Sequence, residues 1–180
     1  MSTNGSFGFV EGRNSYTLFF NFYNSYPIGL GSSILNFISQ SNLNSKWSDY
    51  KKDSNLLYTD LNLISKDVSF DNNFIKKSLF CEYAYIINLN DMTLEFYRGN
   101  QKVPQIGNRF GHVPDKDGYY PCRLVGVFNI SEINDIIDIE SILERMNNIV
   151  KDNIEDLSVQ NHFRKIKLEK IKKSNLKYIK

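Results

Sequence analysis

CEYAYIINLNDMTLEFY, residues 81–97, is the stretch on which the fold turns. Cys81, Tyr83, Tyr85, Ile87 and Leu89 recur at every second position, the period at which a strand presents one face. Asn90-Asp91 supplies turn chemistry, and residues 93–97 return as a partner strand, so the stretch reads as a β-hairpin. Upstream, residues 6–11 and 15–23 form a second such pair around Gly12-Arg13-Asn14. Residues 16–23 are nearly all aromatic or β-branched, which predicts a strand buried on both faces and central in a sheet.

Between the hairpins the period changes. Leu30, Ile34, Leu35, Phe37 and Ile38 have helical spacing, with Ser32 or Ser33 available as cap. A second helix is expected over 43–52, where Trp47 and Tyr50 share a face. Residues 56–64 fit helix or strand, and 68–78 read as a polar connection. Beyond the second hairpin, residues 98–121 form a long irregular run carrying Pro104, Pro114 and Pro121 and Gly99, Gly107, Gly111 and Gly118. Such a run is uncommon inside a compact domain and tends to be a functional or mobile loop. Residues 123–130 predict another strand, and the apolar stripes after Ser131 predict two more helical stretches. The order β-β-α-α-(x)-β-β-loop-β-α-α predicts an α+β fold: a mostly antiparallel sheet built from hairpins, with helices packed on it.

The chain has 180 residues, the size of one domain. Residues 1–156 are expected to form that domain and 157–180 a basic, helical, partly mobile tail. Glu132, Asp135, Asp138, Glu140, Glu144, Asp152, Glu155 and Asp156 make the region before the tail acidic. Eight bases lie between Arg164 and Lys180, so the tail can pair with the acidic region or touch an acidic partner. The net charge of +2 makes no general case for nucleic acid, and Tyr178 is the only aromatic among the last fifteen residues, so nucleic-acid binding is not expected. No apolar run reaches membrane-helix length, no secretory signal is seen, and Cys81 and Cys122 are too few for a disulfide framework. A soluble, cytoplasmic protein with free thiols is the expectation.

Phe22-Tyr23-Asn24-Ser25-Tyr26-Pro27-x-Gly29-x-Gly31, the hairpin before it and the small-residue start Ser2-Thr3-Asn4-Gly5 carry a resemblance. The chain resembles a broad group of small, mostly uncharacterised bacterial and phage proteins. They begin Met-Gly-Thr-Arg and carry a Phe-Asp-Gly-Tyr-Pro-x-Gly-x-Gly loop. The hairpin at 83–97 and the strand and helix over 120–137 resemble their later elements. Asn4 stands where the group has Arg and Asn24 where it has Asp. Two charges are thus lost together, and a neutral Asn/Asn pair keeps the hydrogen-bonding capacity, which favours a structural role for both positions. The resemblance bears on fold and carries no activity to this chain.

Function is not written in any single motif. Residues 24–31 form a Gly/Pro-shaped loop leading into a helix, where backbone N–H groups can hold an anion, with Asn24, Tyr26, Gly29 and Gly31 as the contacting residues. In the long loop, Arg98 and Arg109 can clamp a phosphate or carboxylate, His112 and Asn108 offer hydrogen bonds, and Phe110 can stack. His112, Asp115 and Asp117 are a weak metal set, and neither metal nor cofactor is expected. A non-catalytic binding module for a small anionic ligand or a protein partner fits these loops best. The alternative is an amide hydrolase of the N-terminal-nucleophile kind, in which removal of Met1 exposes Ser2, or further trimming exposes Thr3, as a nucleophile whose own α-amine is the base.

Overall fold

A computed structural model describes residues 3–12 and 15–152. Its centre is one six-stranded sheet. The strands are β1 (Gly5–Glu11), β2 (Ser15–Asn21), β3 (Val68–Phe70), β4 (Tyr83–Asn88), β5 (Thr93–Arg98) and β6 (Arg123–Asn129), in the spatial order β3-β2-β1-β4-β5-β6. All pairs are antiparallel except β1–β4, which run parallel from Gly5 opposite Tyr83 to Val10 opposite Asn88. The sheet is therefore mixed, mostly antiparallel, and the chain is α+β.

The helices are α1 (Ser32–Gln40), α2 (Leu43–Lys52), α3 (Ser54–Asp60) and α4 (Ile136–Asp152). Alternation along the strands divides the core in two. Phe7, Phe9, Phe19, Tyr83, Tyr85, Leu94 and Phe96 point to the helices, where they meet Leu30, Ile34, Trp47 and Met146. The Phe9 ring stacks on Trp47 at 4.1 Å between centroids, and Trp47 Nε1 donates to Glu11, which ties α2 to β1.

Val10, Leu18, Ala84, Ile86, Tyr97 and Leu124 point the other way, into a second buried cluster. No long helix covers that face among the described residues. Its cover is the 3₁₀ turn Phe74–Lys76 and the irregular run 99–122, which contribute Phe74, Ile75, Phe110 and Cys122. Phe110 lies 5.2 Å from the Tyr16 ring and 5.4 Å from the Tyr97 ring. Gln105 donates its amide to the Leu124 carbonyl and accepts from the Leu124 N–H, both at 2.9 Å, as a neighbouring strand would. The long loop is the second layer of the fold.

Several expectations change. β2 is one place from the sheet edge, and only part of it is buried; β3, at the start of the 68–78 stretch read as a polar connection, is the edge strand. Residues 54–60 resolve to helix. After β6, among the described residues, there is a 3₁₀ turn (Ile130–Glu132) and one helix, since the stripes of Ile139, Ile142, Met146 and Ile149 are continuous at helical spacing. Cys81 lies before β4 and joins the loop-side cluster, away from Tyr83 and Tyr85. The boundary at 156, the tail and the Arg13-Asn14 turn lie outside the described residues.

Candidate functional site

The loop at 24–31 is shaped by three constraints. Asn24 adopts a left-handed backbone (φ 52°), which Asn tolerates better than most residues. Its carbonyl accepts the Leu30 N–H at 2.9 Å, and the Tyr26 carbonyl accepts the N–H groups of Gly29 at 2.9 Å and Gly31 at 3.3 Å. A Cβ on Gly29 would sit 2.2 Å from the Asn24 carbonyl oxygen, and one on Gly31 would sit 2.9 Å from the Tyr85 ring. The two glycines thus mark close approach. The loop closes into one turn of π-helix (Pro27–Gly31) that runs directly into α1. From below, the buried Tyr85 hydroxyl donates to the Ser25 carbonyl at 2.9 Å. Burial pushes that phenol well above its ordinary pKa and keeps it a donor.

Across from this loop, α3 ends in a second left-handed asparagine. Asn62 (φ 54°) donates its N–H to the Thr59 carbonyl at 3.0 Å, and Leu63 donates to Tyr58 at 2.8 Å. This is the double bond pattern that closes a helix on a C′ residue. Between the two turns lies a cleft of about 340 Å³. Asn24, Asn62, Asn36, Ser32 and Ser33 line it, and Asn21 lies at its base, buried. Tyr23 and Ile28, 58% and 75% exposed, stand at its rim. No side chain in the lining is charged. Asn36 is oriented by donation to the Ser32 carbonyl at 2.9 Å, and Asn21 by donation to Ser25 Oγ at 3.0 Å. Each leaves its carboxamide oxygen as acceptor.

The other expected site residues are divided by the sheet. Tyr26 lies 5.7 Å from the Tyr83 ring, and the Arg98 guanidinium sits over that same ring at 4.5 Å, so Tyr26 and Arg98 meet through Tyr83 on the helix face. Neither lines the cleft. Arg109 is on the opposite face, turned inward to an ion pair with Glu95. That carboxylate also accepts from Asn88 Nδ2 at 2.9 Å and from the Tyr97 hydroxyl at 2.7 Å. His112 is exposed in the covering loop. Asp115 Oδ1 accepts from the N–H groups of Asp117 and Tyr119, both at 2.9 Å, so it serves a turn. Among the described residues no cluster of three His, Cys, Asp or Glu stands ready for a metal.

Ser2 lies outside the described residues. Thr3 is 2% exposed and its buried hydroxyl has no hydrogen-bond partner. Its carbonyl accepts from Ser25 N–H at 3.3 Å, so the chain start packs beside the 24–31 loop. The residues that sequence reasoning missed are Asn62, Asn36, Ser32 and Ser33 as cleft walls. Asn62 falls inside residues 56–64, which fit helix or strand in sequence, so its place just past the end of α3 comes only from the fold. Comparison with protein-family models, with curated proteins and with solved structures gave no match.

Proposed function

We propose that the protein is a non-catalytic binding module that takes a small polar ligand in the cleft between the 24–31 loop, α1 and the end of α3. The observation that carries this reading is the cleft's lining: carboxamides and hydroxyls from two chain segments, 21–36 and 62–63, converge on one space of about 340 Å³. In a ligand site the placed polar groups are what fix the ligand's orientation, and here they make up most of the lining. The loop that the sequence singled out supplies Asn24 and Gly29, and both are held by backbone hydrogen bonds before any ligand arrives. Such a site loses little entropy on binding.

The reading differs from the anion clamp expected of the loops. Arg98 and Arg109 are occupied with Tyr83 and Glu95 on opposite faces. The Gly29, Leu30 and Gly31 N–H groups already donate within the loop. What remains for a ligand is neutral. The test is two-dimensional ¹⁵N–¹H spectroscopy of the full chain against sugars, nucleosides, amino acids and inorganic phosphate. The expected result is saturable shifts at Asn24, Gly29, Asn36 and Asn62. Saturable shifts confined to the 98–118 loop, with the cleft silent, would overturn it.

A further inference from the structure

We infer that the cleft's ligand is a neutral, hydroxyl-rich molecule of one or two rings, a simple sugar. The inference rests on the binding-module reading and narrows it from the chemistry of the walls. An anion entering this space would meet no Lys or Arg side chain, and a cation would meet no carboxylate. Either would give up hydration without a compensating charge. An apolar ligand would strip water from Asn24, Asn62, Ser32 and Ser33 and return no hydrogen bonds.

A neutral polyol matches on each count. A carboxamide presents a donor and an acceptor side by side, and neighbouring hydroxyls on a sugar ring present the complementary pair. Asn24 and Asn62 offer that fork from opposite walls, both exposed and both on backbone turns fixed by hydrogen bonds. Asn36 and Asn21 spend their NH₂ groups within the protein, which leaves carboxamide oxygens to accept from ligand hydroxyls. Ser32 and Ser33 adapt by rotation of their hydroxyls. Sugar rings also have faces of C–H groups, and the Tyr23 ring at the rim is the flat surface for them. The volume, about 340 Å³, is at the small end for ligand sites, which suits one or two rings.

The test uses the full chain and a fixed panel: methyl glycosides of glucose, galactose, mannose and N-acetylglucosamine, their free disaccharides, inorganic phosphate and glycine amide. Binding is read by isothermal titration and by the side-chain amide resonances of the four asparagines. Asn24→Gly and Asn62→Gly are the variants, because glycine keeps the left-handed backbone while removing the carboxamide. The expected result is saturable binding of at least one sugar, weakened roughly tenfold in each variant as one or two hydrogen bonds are lost. If phosphate or glycine amide shifts the cleft resonances and no sugar does, the sugar inference falls and the binding module stands. If nothing in the panel moves them, while shifts appear elsewhere or not at all, both fall. Sugar binding that is unchanged in both variants also overturns the inference, since the ligand then sits outside these walls.

Discussion

Replacing Arg109 by methionine leaves a carboxylate stranded under the long loop. Glu95 has no exposed side-chain surface, and Arg109 keeps about a fifth of its own (22%). Removing one partner of a buried pair costs about 3–5 kcal/mol, because the remaining charge is uncompensated. The low end applies here: the donors Asn88 and Tyr97 remain on Glu95, and Arg109 was never wholly dry. About 3 kcal/mol, in a domain of this size, lowers Tm by about 6–12 °C. Glu95→Gln is milder, about 1–2 kcal/mol, since it weakens charge-assisted bonds yet leaves Arg109 able to reach water. The double variant Glu95→Gln/Arg109→Met removes the stranded charge as well, so it is more stable than Arg109→Met alone. Urea unfolding followed by far-UV circular dichroism, with all four proteins at pH 7, gives the cycle. An Arg109→Met cost below about 1 kcal/mol, or costs that simply add in the double variant, would refute the claim that this pair pins the second layer.

Gly29→Ala places a methyl 2.2 Å from the Asn24 carbonyl oxygen, so the loop must shift; a stability loss of about 1–3 kcal/mol and loss of cleft binding are expected in urea unfolding and titration. Glu11 is held below the ordinary carboxylate range by hydrogen bonds from Lys51 and then Trp47, and Asp60 by Tyr50 and then Lys46. Depressed folded-state values contribute stability above the unfolded value, about pH 4, and lose it as pH falls through the folded value. The urea midpoint therefore drops below that pH, and it drops less in Tyr50→Phe. Tyr50 itself is pushed well up, first by burial and then by its bond to Asp60. Its contribution is complete below the unfolded value of about 10 and is lost as pH rises toward the folded one. Wild type should thus lose stability above pH 10 more steeply than Tyr50→Phe, and parallel curves would exclude Tyr50 as the source.

The α+β class was legible because β4 and β5 obey a period of two without interruption and α1 and α2 obey one of 3.6. Those regularities survive any packing arrangement, so residues 43–52 could be placed as a helix from sequence alone. β3 was not legible. Three residues, Val68-Ser69-Phe70, are too few for a period, and only their pairing with β2 makes them a strand. The parallel β1–β4 junction was equally hidden, because nothing in either strand's sequence names its neighbour. In the site, the Gly29-x-Gly31 loop could be read, but sequence alone does not separate close approach to Asn24 and Tyr85 from an anion-binding turn.

Arg98 and Arg109 show where a periodic argument stops. Arg98 ends β5, and parity along the strand sends it to the face of Leu94 and Phe96; its register partner Tyr83 confirms this by lying beneath it. That placement could be deduced by counting in twos. Arg109 follows ten residues of irregular chain after β5, for which no period exists, and its destination is set by a partner instead. Glu95, one residue out of phase with Phe96, points into the opposite core, and a buried carboxylate there demands a cation. The demand is readable: a Glu between Leu94 and Phe96, in a strand buried from Thr93 to Tyr97, needs a counter-charge on the face that Leu94 and Phe96 avoid. The long loop carries arginine at 109 and a large aromatic beside it at 110, and the pair docks as a charge into Glu95 and a ring onto Tyr97. An arginine in a loop packed over a buried acid is therefore better read as that acid's partner than as a ligand's.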